Sequence, residues 1–260
     1  MFAVAGGCGC HTGPDGPVGA GGGTVPTPFG TFYGTNITSD AETGIGKWTD
    51  AQIAAAIRDG WRPDGMAESP AMPYYRYAGV SDADLADLIA YLRSIPPVRR
   101  GNKDHEVTLP FARLAYRAWR FLFLRRPDTV RITNDDVVAR GRYLVDHVAI
   151  CGDCHTPRTR LGSEDDAYYL AGTSAGPDGA KIPNITPDRT GIHDWDADDI
   201  VSVLSLGMLP NFDNVQGLMA EVVDGHGGGP GYKNARAEDL QAIAAYLKTV
   251  TAIEHAVDRR

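Results

Sequence analysis

Cysteine is scarce in this 260-residue sequence: there are four, at positions 8, 10, 151 and 154, in two close pairs. That is too sparse for the disulfide framework of a small secreted scaffold. No apolar run approaches the roughly 18 residues that span a bilayer. The closest, Trp119 to Leu124, is six residues long and already contains Arg120. A basic tract is missing as well. With 33 acidic against 25 basic residues and a formal net charge of -8, the chain lacks the phosphate-neutralising surface on which nucleic-acid affinity rests, and no nucleic-acid partner is expected. The first residues, MFAVAGGCGC, hold no charged start, apolar stretch and cleavage site, so any export signal is expected upstream of them. What the chain does have is 43% apolar residues against 22% charged, enough to bury real cores. Its 31 glycines and 17 prolines imply long loops.

The sequence also repeats itself. Asn36-Ile37-Thr38 returns as Asn184-Ile185-Thr186, and Trp48, Ile53, Gly60, Pro63 and Met72 return as Trp195, Ile200, Gly207, Pro210 and Met219 at a constant offset of 147. Further on, LADLIAYLRS (85–94) answers LQAIAAYLKT (240–249), and a cysteine pair heads each copy. The expectation is two homologous domains, 1–98 and 134–260, joined by a strap over 99–133. Each copy has helix-start signals, Thr49-Asp50 and Asp196, and a terminating glycine, Gly60 and Gly207. Ser81-Asp82-Ala83-Asp84 reads as a capping box before Leu85, Leu88, Ile89 and Leu92 at helical spacing. No sustained period-two alternation is present, so the fold class is mainly α, with long Gly/Pro-rich loops. Asn134-Asp135-Asp136 caps a further helix leading into Cys151, whereas only MFAVAGG precedes Cys8. The chain is therefore expected to begin inside its first domain. In the strap, Phe111, Leu114, Ala115, Ala118, Phe121 and Leu122 form a helical stripe edged by arginines. It is read first as packing against both domains, with a membrane surface or a partner subunit as the other occupants.

Cys151-Gly152-Asp153-Cys154-His155 is a C-x-x-C-H sequence. On one helical turn this spacing lets two thiols add to the vinyl groups of one haem while His155 faces the iron. Zinc would need two further ligands, and a redox thiol pair would need a βαβ context; neither is apparent. The first site reads Gly7-Cys8-Gly9-Cys10-His11, with one cysteine a residue too close. It is expected to hold haem through Cys10 alone or through Cys8 and Cys10 in strained geometry, unless an error in the sequence has shortened it. A sixth iron ligand is supplied by methionine where a high potential is wanted. The repeat selects Met72 and Met219 over Met66 and Met208, which have no counterparts. A lone methionine would otherwise be core filler. The expected set is two covalent haems c on Cys8, Cys10, His11 and Met72, and on Cys151, Cys154, His155 and Met219.

On these motifs, together with TPFGTFYGTNITSDAETGIGKW, PAMPYYRYAGVSDADLADLIAYLRS, RGRYLVDHVAICGDCHTPR and GLMAEVV, the chain resembles tandem class I cytochromes c. More narrowly, it resembles the cytochrome c subunits of bacterial alcohol, gluconate, sorbitol and aldehyde dehydrogenases. The resemblance implies His/Met axial ligation and export to the periplasm, at the outer face of the cytoplasmic membrane through partners. It also implies electron passage from a dehydrogenase catalytic subunit to a quinone or terminal oxidase component. Members of that group often have three haems and a C-terminal anchor, whereas this sequence has two motifs and ends in TAIEHAVDRR. The enzymatic alternative is a dihaem oxidoreductase of peroxidase or thiosulfate dehydrogenase type, which needs an iron with an exchangeable site.

Overall fold

The computed structural model describes residues 6–108, 110–125, 136–225 and 229–257. It is mainly helical and divides into two compact units, residues 1–129 with 225–231, and 130–224 with 232–260.

In the first unit, helix α1 (Asp50–Asp59) starts where Thr49 and Gln52 exchange side-chain and backbone hydrogen bonds, and it stops at Gly60 in the left-handed conformation. Its Ile53 and Ile57, four apart, face the core. A single turn, α2 (Tyr74–Tyr77), follows, and then α3 (Asp82–Ser94). Of the box expected at the start of α3, the Ser81 half is made: its hydroxyl accepts from Asp84 N at 3.1 Å. Leu85, Ile89 and Leu92 of α3 close on Ile45, Ile53, Ile57, Val80 and Ile95 to form the core.

The pattern of the sequence gives no hint of a small antiparallel sheet that is nevertheless present. Strands β1 (Thr24–Thr27), β2 (Gly30–Tyr33) and β3 (Glu106–Val107) pair in that order, with Thr24 opposite Tyr33 and Thr31 opposite Glu106. Pro26 sits on β1, at the sheet edge, where its missing N–H costs least.

Helix α4 (Ala112–Phe123) belongs to the first unit. The residues that pack are not the ones expected. Trp119 lies against Tyr74 and Tyr75 with centroids 6.2 and 5.3 Å apart, and Tyr116 lies 6.3 Å from Phe32. Phe111, Leu114, Phe121 and Leu122 are exposed instead. The larger rings have aromatic partners to stack on, and their side of the helix is the one that docks.

In the second unit, α5 (Val137–Tyr143) starts at Asp136, whose side chain accepts from Ala139 N; Asn134 and Asp135 lie outside the described residues. A wider helical turn, Leu144–Val148, leads to α6 (Cys151–His155), followed by α7 (Ala197–Leu206), α8 (Leu218–Asp224) and α9 (Ala237–Leu247). Helix α5 crosses α9 so closely that a Cβ on Gly141 would fall 1.9 Å from the Ala242 carbonyl oxygen, so only glycine fits there. Beside the crossing, Asp239, 3% exposed, accepts from Arg140 at 2.9 Å and Arg236 at 3.1 Å. Among the described residues no helix is long and apolar enough to cross a membrane.

Candidate haem sites

Each histidine that follows a cysteine is held in the same way. His11 Nδ1 lies 2.8 Å from the Thr35 carbonyl, and His155 Nδ1 lies 2.8 Å from the Pro183 carbonyl. A carbonyl only accepts, so the proton sits on Nδ1 and the Nε2 lone pair is left for a metal. Burial holds both imidazoles below their usual pKa against the opposing effect of the carbonyl bond, which keeps the rings neutral near pH 7.

The chain around each histidine is fixed by matching bonds. The His11 carbonyl accepts from Gly21 N at 2.8 Å and the His155 carbonyl from Gly172 N at 2.7 Å. Gly21 (φ 80) and Gly172 (φ 81) both need glycine, because a Cβ would stand 2.8 Å from Asn36 N and 2.5 Å from Asn184 N. The next residues, Thr12 and Thr156, are buried and accept from Gly19 N and Leu170 N, both at 3.1 Å.

The carbonyls that receive the imidazole protons are held just as firmly, because each precedes a buried asparagine. Asn36 Oδ1 accepts from Thr38 N (3.0 Å) and Thr38 Oγ1 (2.7 Å), while its Nδ2 donates to Val98 O (2.7 Å). Asn184 does the same with Thr186 N and Oγ1 (both 2.8 Å) and Ile253 O (2.8 Å). Thr43 and Thr190 extend the network to Asp40 and Asp188, whose carboxyls these bonds hold below the usual range. In the sequence Asn-Ile-Thr is legible only as a mark of repetition, and Thr12 and Thr156 do not stand out. The recurring His-Thr pair was the available signal.

The cysteines lie on the same short elements as the histidines. Cys10 is exposed in the 3-10 turn Gly6–His11, and the side chain of Cys8 lies outside what the structure describes. Cys151, half-buried, and Cys154, exposed, are three residues apart on α6, so they share a face with His155 one residue on. Met72 lies in the turn before α2, its N–H bonded to Ser69 O at 2.9 Å, and Met219 is the second residue of α8; both are half-buried. No methionine belongs to the buried apolar core of the described residues, so the core-filler role finds no support. Two residues after Met72, Tyr74 is fully buried, yet its hydroxyl has no hydrogen-bond partner among the described residues. That orphaned hydroxyl suits a bound group that completes the interior. Among the described residues no three His, Cys, Asp or Glu side chains converge, so a zinc site lacks its ligand set there. Two thiols and a neutral imidazole on one helical turn are the donors that covalent haem requires, and the residues fit that group.

Comparison with known proteins agrees. The model of the family Cytochrome c matches residues 4–96. A diheme cytochrome c-type protein of Cereibacter sphaeroides is 42% identical over 258 residues, covering 96% of this chain and 84% of that one. The gluconate 2-dehydrogenase cytochrome c subunit of Pantoea cypripedii is 38% identical over 96% of the chain, and the cytochrome c subunit of alcohol dehydrogenase (quinone) from Gluconobacter oxydans is 38% identical over 94%. The chain spans only 58% and 52% of the length of these two subunits. With 42% identity over nearly its full length to a protein of which it covers more than two thirds, and with cysteine, histidine and backbone arranged for covalent haem c, this chain belongs to the cytochrome c family.

Proposed function

We infer that the chain is a dihaem electron carrier built of two tandem class I domains, 1–98 and 134–260, with the strap 99–133 between them. It would pass electrons from a periplasmic dehydrogenase catalytic subunit to a quinone or terminal oxidase component. The observation that carries this reading is the matched pair of neutral imidazoles, each with Nδ1 spent on a backbone carbonyl. The names of the Pantoea and Gluconobacter relatives supply the dehydrogenase context.

Bound haem c supplies a one-electron iron couple. Cys151 and Cys154 would hold one group by thioethers, and Cys10, alone or with Cys8, the other. His11 and His155 would present Nε2, and Met72 and Met219 would supply thioether sulfur. Asn36 and Asn184 keep the imidazoles from turning by fixing the carbonyls that hold them. No residue in this set needs to act as acid, base or nucleophile, so the protein's part is placement and tuning of potential.

The test is a pyridine haemochrome assay with mass spectrometry of the intact, exported chain, together with spectra of Met72→Ala and Met219→Ala. Two covalent haems and a loss of half the methionine-to-iron charge-transfer absorbance in each variant are expected. One haem would reject the first site, and none would reject the reading. High-spin iron in the unmodified protein would favour an enzyme with an exchangeable site.

A further inference from the structure

Helix α4 turns an apolar stripe to solvent. Phe111 and Phe121 are each 85% exposed, Leu114 69% and Leu122 63%. Leu114, Ala118, Phe121 and Leu122 fall along one side of a helix with 3.6 residues per turn, and Phe111 is the residue just before its first turn. The stripe cannot roll inward, because the other side of the helix is clamped to the first unit. Trp119 is wedged against Tyr74 and Tyr75. Arg120 donates to the Asp59 carbonyl and covers the Trp61 ring at 4.7 Å, while Arg117 donates to the Gly65 carbonyl at 2.9 Å.

Charge indicates what covers the stripe. From Val107 to Pro127 the sequence has no acidic residue and five arginines, in a chain of net charge -8. Arg113 and Arg125, at the two ends of the helix, are exposed and have no acidic partner among the described residues. A helix whose solvent side has phenylalanine near both ends, leucine and alanine between and exposed guanidinium groups at its tips has the pattern of an interfacial anchor. Anionic headgroups would pair with those arginines. The helix is too short and too charged to span the bilayer.

We propose that α4 is a surface anchor lying in the headgroup region of an anionic lipid bilayer, with Phe111, Leu114, Phe121 and Leu122 inserted and Arg113 and Arg125 on lipid phosphates. This anchoring does not depend on the electron-transfer reading. The test is flotation of the purified full chain with phosphatidylethanolamine/phosphatidylglycerol vesicles and with pure phosphatidylcholine vesicles, at low and high salt. Flotation with the anionic vesicles is expected, weakened by salt and by Arg113→Gln/Arg125→Gln. A Leu114→Ser/Phe121→Ser variant should partition at least about tenfold less while keeping its circular dichroism, because its altered side chains are exposed. Four results would overturn the proposal: no flotation with either vesicle, undiminished flotation of the serine variant, self-association of the unmodified chain that Phe121→Ser abolishes, or loss of the folded signal in the serine variant, which would place the stripe inside the protein.

Discussion

At the residue scale, Asn36 and Asn184 matter more than their plain chemistry suggests. Each buried carboxamide satisfies a threonine on one side and a carbonyl more than 60 residues away on the other. Asn184→Ala would strand the Thr186 N–H and leave the Ile253 carbonyl with only the longer bond from Thr186 Oγ1 at 3.4 Å, at about 1–3 kcal/mol for a buried group left unpaired. Urea unfolding should show a midpoint lowered accordingly, with an unchanged slope. Asp188 makes a pH prediction. Its carboxyl is held below the usual value by bonds from Thr190, so it contributes stability above the ordinary carboxylate pKa and loses it as pH falls through the lowered one. Asp188→Asn should flatten the acid side of the stability profile, as followed by circular dichroism between neutral and strongly acidic pH. The histidines were legible because a cysteine motif names them. Thr35 and Pro183 were not, because a backbone carbonyl has no side-chain signature.

At the element scale, what was local in the sequence was readable. Thr49, Asp196, Gly60 and Gly207 bound α1 and α7 as their residue types predict. The sheet escaped notice because its strands are four, four and two residues long and β3 returns more than 70 residues after β2. Alternation needs longer runs to register. In α4 the periodicity is visible in the sequence but the buried side is not, because spacing alone does not say which of two apolar faces finds partners. The crossing of α5 and α9 gives two tests. Gly141→Ala pushes a methyl group into the Ala242 carbonyl and should cost about 1–3 kcal/mol. Arg140→Met leaves the Asp239 carboxylate buried with Arg236 alone. That should cost up to about 3 kcal/mol, somewhat less than breaking an isolated buried pair. Chemical denaturation reads both.

At the scale of the whole molecule, each unit has its own buried apolar core, Ile45 to Ile95 in one and Leu240, Ile243 and Leu247 with Tyr143 and Leu144 in the other. Calorimetry of the full chain is expected to resolve two transitions, of which Gly141→Ala lowers one; a single transition shifted as a whole would show that the cores unfold together. The repeat in the sequence prepared for two cores, whereas the number of thioethers at the first site rests on Cys8, whose side chain lies outside the described part. One feature common to both units bears on how such a carrier would work. The acceptor at each Nδ1 is an amide carbonyl, a very weak base, rather than a carboxylate. A carboxylate there would draw the proton away and give the ring imidazolate character, which favours the oxidised metal and the breaking of bonds in a bound oxidant. A carbonyl leaves the proton where it is. With haem held at His11 and His155, gain or loss of an electron would then have no Nδ1 proton to move.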